Sequence, residues 1–195
     1  MNIEFFRLIN NLANKNSILD KIMIFFSKDA LYIFIAALAI VFILGAIQKK
    51  SDYRKIAVST FILTSINLIS SFLIGNIYYV DRPFVNNKVN LLYPHVKDAS
   101  FPSDHSIGTM SIALGLTRYN KVISFLLTVL SVMVGFSRVY VGHHYPMDVI
   151  GAYIIAFGVS YVYNLKLRNK VESLYEAVER KLVFRFGLGK LYEEI

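Results

Sequence analysis

The ionisable residues of this chain that could do chemistry lie in three short stretches. They are Asp81-Arg82-Pro83-Phe84, Phe101-Pro102-Ser103-Asp104-His105-Ser106 and Ser137-Arg138-Val139-Tyr140-Val141-Gly142-His143-His144-Tyr145-Pro146-Met147-Asp148. Each abuts an apolar run, and ionisable residues at or inside a membrane mark function by default. Arg82 and Arg138 each offer a rigid fork of donors suited to the oxygens of a phosphate. His105, His143 and His144 can serve as nucleophile, acid or base near neutrality, with Ser103 and Asp148 as partners. Thiol chemistry is excluded: the chain has no cysteine, so thiolate nucleophiles and Cys-ligated metal centres are out.

The elements that must position these groups are apolar. The 195 residues are 55% hydrophobic and 17% charged, with mean hydropathy +0.50, where soluble domains carry about 25% charged residues. Five uncharged stretches stand out, at 30–47, 56–80, 106–117, 122–137 and 149–165. A span needs ~20 apolar residues. The first, second and fifth suffice as they stand, the third gains a turn if residues 103–105 open the same helix, and the fourth extends through 139–141. The fold class expected is all-α, a polytopic transmembrane helix bundle of about five spans in a single domain over residues 1–195. Its motif-bearing core is about 56–165, and the sequence leaves open whether residues 18–29 join the first span to make one long, tilted or broken helix. Phe5, Ile9 and Leu12 share a face and predict an interfacial N-terminal helix; Val171, Leu174, Val178 and Leu182 do the same for an amphipathic tail over 166–195. Small residues at Ala152, Ala156 and Ser160, and at Ser111 and Gly115, predict close helix packing, while Tyr140 and Tyr145 read as membrane-interface anchors.

Net charge is +8, and its placement points to a membrane surface rather than nucleic acid. Lys49, Lys50, Arg54 and Lys55 follow the first span against one acid, Asp52; Arg118 and Lys121 follow the third, and Lys166, Arg168 and Lys170 the fifth. The loop 81–105 balances three cations with three acids. Basic loops stay cytoplasmic, so the C-terminus is expected inside and all three reactive stretches outside.

Those stretches resemble the three signature motifs of the type 2 phosphatidic acid phosphatase (PAP2) superfamily, usually K-x6-R-P, P-S-G-H and S-R-x5-H-x3-D. Ser137-Arg138, His144 and Asp148 fit the third in full. Pro102-Ser103 and His105 fit the second, with Asp104 where glycine is usual, and Arg82-Pro83 fits the end of the first. The resemblance implies His144 as nucleophile forming a phosphohistidine, Asp148 as the acceptor for its other ring nitrogen, and His105 as the acid for the leaving oxygen. It implies Arg82, Ser103 and Arg138 as phosphate ligands, with Asp104 and His143 accessory, and no cofactor or metal. The first motif's lysine falls on Gly75; Lys88, Lys97 and Asn76 are candidates to replace it.

The pattern as a whole is similar to the bacitracin-resistance undecaprenyl-diphosphatase branch, which implies a polyprenyl diphosphate substrate, recycling of the cell-wall lipid carrier, and a site on the outer face of the bacterial plasma membrane. Phosphatidic acid or phosphatidylglycerophosphate is the alternative substrate. A metal-dependent hydrolase using His105, His143, His144 and Asp148, and a non-catalytic transporter or scaffold, are the rival classes. Oligomeric state is left open by the sequence.

Overall fold

The computed structural model describes residues 2–185. Among the described residues all regular structure is helical: α1 (Asn2–Asn10), α2 (Ser17–Lys28), α3 (Leu31–Ile47), α4 (Ser51–Ile77), α5 (Pro83–Asn86), α6 (Asp104–Gly115), α7 (Lys121–Tyr140), α8 (Pro146–Lys166) and α9 (Arg168–Arg185), with a 3-10 turn at Leu116–Arg118. Helix starts follow local chemistry. Asn16 accepts from the backbone N–H groups of Ile18 and Leu19 to open α2, and Asn120 does the same for Val122 and Ile123 to open α7. Prolines 83 and 146 stand in the first turns of α5 and α8, where the missing N–H costs nothing.

Helix α6 is the axis of the bundle, packed against α4, α7 and α8. Ser106 through Ala113, and Gly115, are buried. The expected small-residue seams are real: Ala152 and Ala156 pack on Ile107 and Met110, and Gly115 meets the side chain of Thr60 so closely that no Cβ fits between them. The outer faces of α4, α7 and α8 present Phe61, Phe72, Phe125, Phe157 and Ile154 to the surroundings, as a lipid-facing surface does.

Length and composition mark fewer candidate spans among the described residues than the five or so expected, because one of the expected stretches forms a short helix. Among the described residues, α4, α7 and α8 are long and apolar enough to cross a membrane, and α2 with α3 forms a fourth candidate bent by 46°. Residues 18–28 form a helix of their own ahead of the first stretch, with the break between the two at Asp29–Ala30. Helix α6 has 12 residues, about 18 Å. Shielded from lipid by its neighbours, it can be short and can carry Ser106, Thr109 and Ser111.

Helix α1 buries Phe6 and Asn10, leaving Phe5 and Leu8 exposed, as is Leu12 in the turn that follows. Asn10 is a clamp: its amide donates to the carbonyls of Asn90 and Tyr140, and its oxygen accepts from the Asn90 N–H. Tyr140 is no interface anchor. It is fully buried, donating from its hydroxyl to the Leu12 carbonyl and Asp20. Tyr145 is half-buried, its hydroxyl accepting from Asn87 and its ring set edge-on to Phe6. Helix α9 turns its polar face inward, pairing Glu179 with Arg54 and Glu176 with Lys55. The predicted stripe of Leu174, Val178 and Leu182 is exposed, the arrangement of a helix lying on a membrane. Residues 186–195 of the expected tail lie outside the described part.

Candidate active site

The C-terminal ends of α4 and α7 and the N-terminal ends of α5, α6 and α8 meet at one end of the bundle, and the three reactive stretches meet there with them. His144 is its centre and is buried. Its Nδ1 lies 2.8 Å from the Ser100 carbonyl and its Nε2 2.9 Å from Arg82 Nη1. A carbonyl only accepts and a guanidinium only donates, so the ring carries its proton on Nδ1 and a lone pair on Nε2. Arg82 is anchored by Nε to Asp98 at 2.6 Å, with Nη1 also reaching the His143 carbonyl at 3.2 Å.

Asp148 does not play the part expected of it in this geometry. Its Oδ2 is 3.6 Å from His144 Nδ1, beyond hydrogen-bond range. It accepts instead from Ser100 Oγ at 2.5 Å and from the Tyr145 N–H at 2.8 Å. The carboxylate therefore fixes Ser100, and Ser100 fixes the ring. Asp148 sits in the first turn of α8, where its charge suits the helix N-terminus, and the bond to Tyr145 closes that turn. Both ring nitrogens of His144 and the Oδ2 oxygen of Asp148 are thus engaged within the protein.

Arg138 is the second cation. Its Nη1 donates to the Ser27 carbonyl at 3.1 Å, to Ser27 Oγ at 3.0 Å and to the Tyr93 hydroxyl at 3.0 Å, and Ser27 Oγ and Tyr93 OH are 2.8 Å apart. Its Nε and Nη2 are buried without a partner. Buried donors left unpaired are costly, so two on one guanidinium describe a site built for an anion. Arg82 bonds His144 directly, and Arg138 at the end of α7 and His105 at the start of α6 lie at the same end of the bundle. Tyr93→Phe is expected to lower turnover about tenfold, because it removes an acceptor that aims Arg138; Ser27→Ala, which keeps the Ser27 carbonyl, is expected to cost less. Both are read from kcat and KM of phosphate release.

The remaining predicted residues are placed as follows. Ser103 is buried at the N-cap of α6, but its hydroxyl accepts from Ser106 Oγ at 3.0 Å instead of capping. The first-turn N–H groups of α6 are left available to an anion. Asp104 takes a 2.6 Å bond from Ser71 Oγ on α4 and lines the groove that also holds Gly75 and Lys97. His143 packs edge-on against Tyr93 and His95, with Nε2 donating to the Tyr93 carbonyl at 3.0 Å. A side chain at 75 would be tight: a Cβ there would lie 3.2 Å from Ala99 Cβ and 3.3 Å from the Phe101 oxygen. Of the three substitutes, Lys97 shares a groove with Gly75 and Asp98, Asn76 spends its amide on the Phe72 carbonyl, and Lys88 is exposed.

The imidazoles between α7 and α8 carry a pH signature. Burial foremost, then the charge of Arg138, lowers the His143 pKa to about 3. Burial, then Arg82 and Arg138, holds His144 well below the ordinary 6.5. Both stay neutral in the folded protein while the unfolded chain takes up protons below 6.5. Stability is therefore full above that pH and falls as the pH drops toward 3, by about 1.4 kcal/mol per unit for each histidine. Thermal unfolding in detergent should show the melting temperature falling from pH 7 to pH 5, with a shallower fall in His143→Asn.

A helical bundle with this cup defines a class, and the sequence comparisons agree. The PAP2 superfamily model matches residues 56–172; the chain belongs to that family and is a multi-pass membrane phosphatase. Among its relatives, undecaprenyl-diphosphatase BcrC of Bacillus subtilis (strain 168) is 36% identical over 188 residues, covering 93% of this chain and 95% of that protein. Bacitracin transport permease protein BcrC of Bacillus licheniformis is 33% identical, covering 94% and 91%. Among solved structures, LpxE of Aquifex aeolicus superposes with a TM-score of 0.63 at 26% identity, over 83% of this chain and 93% of that one.

Proposed function

We propose that this phosphatase hydrolyses a polyprenyl diphosphate to the monophosphate and inorganic phosphate, at the outer leaflet of a bacterial plasma membrane with the C-terminus in the cytoplasm. The observation that carries the chemistry is the His144 Nε2 lone pair held toward Arg82, at the end of the bundle where Arg138 keeps two unpartnered donors. The terminal phosphate enters on Arg138, the α6 first turn and Arg82, drawing Arg82 Nη1 off the ring. Nε2 attacks the terminal phosphorus, the bond to the bridging oxygen breaks, and His105 gives its proton to the departing monophosphate. The ring becomes cationic as it is phosphorylated; its Nδ1–H stays on the Ser100 carbonyl, with the Asp148 charge 3.6 Å away to stabilise it. Water then attacks the phosphohistidine, gives its proton to His105, and the P–N bond breaks to release phosphate. No metal takes part in these steps.

The substrate class is supported by the name of the Bacillus subtilis relative, and the orientation by the basic residues gathered at the end of the bundle opposite the cup. Phosphate release from polyprenyl diphosphate, farnesyl diphosphate and phosphatidic acid, measured in detergent with and without a chelator, is the test. Polyprenyl diphosphate should be preferred and chelator without effect. Preference for phosphatidic acid would reassign the substrate within the family, and chelator sensitivity would overturn the metal-free route. Release of no phosphate from any of them would favour a transport role.

A further inference from the structure

At the end of the bundle away from the cup, the C-terminal ends of α6 and α8 and the start of α9 enclose a cleft of about 310 Å3. Arg118, Arg168, Asn164, Ser160, Phe157 and Tyr161 are among its walls. Ser160 stands 14 residues beyond Pro146 in α8, about 21 Å along the axis, so this cleft is separate from the catalytic cup.

The cleft has one fixed charge, one adjustable charge and one unanswered donor. Arg168 is buried with every nitrogen engaged: Nε on Glu172 at 2.7 Å, Nη1 on Asn164 at 3.0 Å and Nη2 on the Gly115 carbonyl at 3.1 Å. It contributes charge but no free hydrogen bond. Arg118 is half exposed, its Nη1 held loosely at 3.4 Å from Glu172 and 3.5 Å from Asn169, distances at which a better acceptor displaces the present ones. Ser160 is 3% exposed, and its Oγ is buried with no partner. Ser160 is a lining residue of the cleft, so a ligand seated against it is placed to answer a hydroxyl that has no partner within the protein. Glu172 is shared by both arginines, and Lys121, Lys166 and Lys170 stand at neighbouring positions in the chain, so the region is strongly cationic.

We propose that this cleft binds one anionic glycerophospholipid from the leaflet opposite the cup. Its phosphodiester lies on Arg118 and the Ser160 hydroxyl, and an acyl chain runs along Phe157 and Tyr161, whose rings are 50% and 68% exposed on the outer face of α8. That aromatic side is why the occupant is a lipid rather than a free anion. The cationic rim is why its headgroup is anionic: a choline headgroup would bring a further positive charge to it. Bound there, the lipid ties α9 to α6 and α8.

Native mass spectrometry of the full chain, released from detergent containing equal amounts of phosphatidylglycerol and phosphatidylcholine, tests this. One phosphatidylglycerol should be retained in preference. Arg118→Gln should weaken retention about fivefold, and Ser160→Leu, which fills the cleft, should abolish it. Phosphate release by both variants should match the unaltered protein, showing that they fold and that the site is not catalytic. Equal retention of the two lipids, or unchanged retention in both variants, would overturn the proposal. Displacement of the lipid by inorganic phosphate at millimolar concentration would overturn it in favour of a bare anion site.

Discussion

Replacing His144 with glutamine will lower phosphate release by at least about 10^4-fold, the largest effect expected of any single change in this protein. The ring's Nε2 lone pair is held, by the Ser100 carbonyl at Nδ1, to face the guanidinium of Arg82. A glutamine amide has no comparable nucleophile, and what remains is catalysis by binding and electrostatics alone. The fold should survive, because Arg82 keeps Asp98 and the His143 carbonyl. His105→Ala provides the contrast. It removes proton transfer rather than the attacking group and should cost about 10^2- to 10^4-fold. With radiolabelled substrate quenched in base, His105→Ala should still show acid-labile phosphate on the protein and His144→Gln none. Labelling retained in His144→Gln would show the nucleophile to be another residue.

That prediction rests on residues whose visibility in the sequence was uneven. Arg82, Ser103, His105, Arg138, His144 and Asp148 were legible because their types and spacing within each stretch resemble the three signature motifs of the family. The partners that aim them were not. Ser100 holds His144 through its backbone carbonyl, a contact any residue type could make, so its side chain advertised only half of its part. Ser27 reaches Arg138 across 111 positions of chain, from a helix that sequence placed merely as a possible extension of the first span. Tyr93 and Asp98 lie in a loop without periodicity, and His95, beside His143, belongs to no motif. Asp148 shows the converse failure. Its presence was legible and its partner was not, since a side chain three or four residues along a helix can turn to the cap or to the ring, and here Ser100 and the Tyr145 N–H take it.

The helices were read through hydropathy, and hydropathy fails where neighbours replace lipid. Stretches 56–80, 122–137 and 149–165 became α4, α7 and α8 with boundaries moved by a few residues, because lipid-facing length is set by membrane thickness. Helix α6 escapes that constraint: surrounded by α4, α7 and α8, it carries hydroxyls that pair across helices, such as Thr109 with Ser131 at 2.8 Å. Tyr140 was misplaced for the same reason. Amphipathic aromatics favour the interface on average, but the α1–α2 region covers this one and supplies acceptors for its hydroxyl.

Arg138→Lys will test whether charge or geometry matters at the second cation, and geometry should win. The substitution keeps the positive charge, yet turnover should fall about 10^2- to 10^3-fold, equivalent to roughly 3–4 kcal/mol of transition-state stabilisation. In the native cup one nitrogen, Nη1, spends itself on Ser27 and Tyr93, so that Nε and Nη2 stay aimed and unpaired. Lysine has a single nitrogen. It can satisfy the Ser27–Tyr93 pair or reach the phosphate, and the shorter partner list nearby favours the former. Most of the loss should fall on kcat, because the missing donors serve the charge that spreads over the oxygens as the phosphoryl group transfers. Inhibition by inorganic phosphate, which samples only ground-state binding, should weaken far less, by about tenfold. A lysine variant with native kcat would mean that the cup requires only a point charge, and that the paired serine and tyrosine serve packing alone.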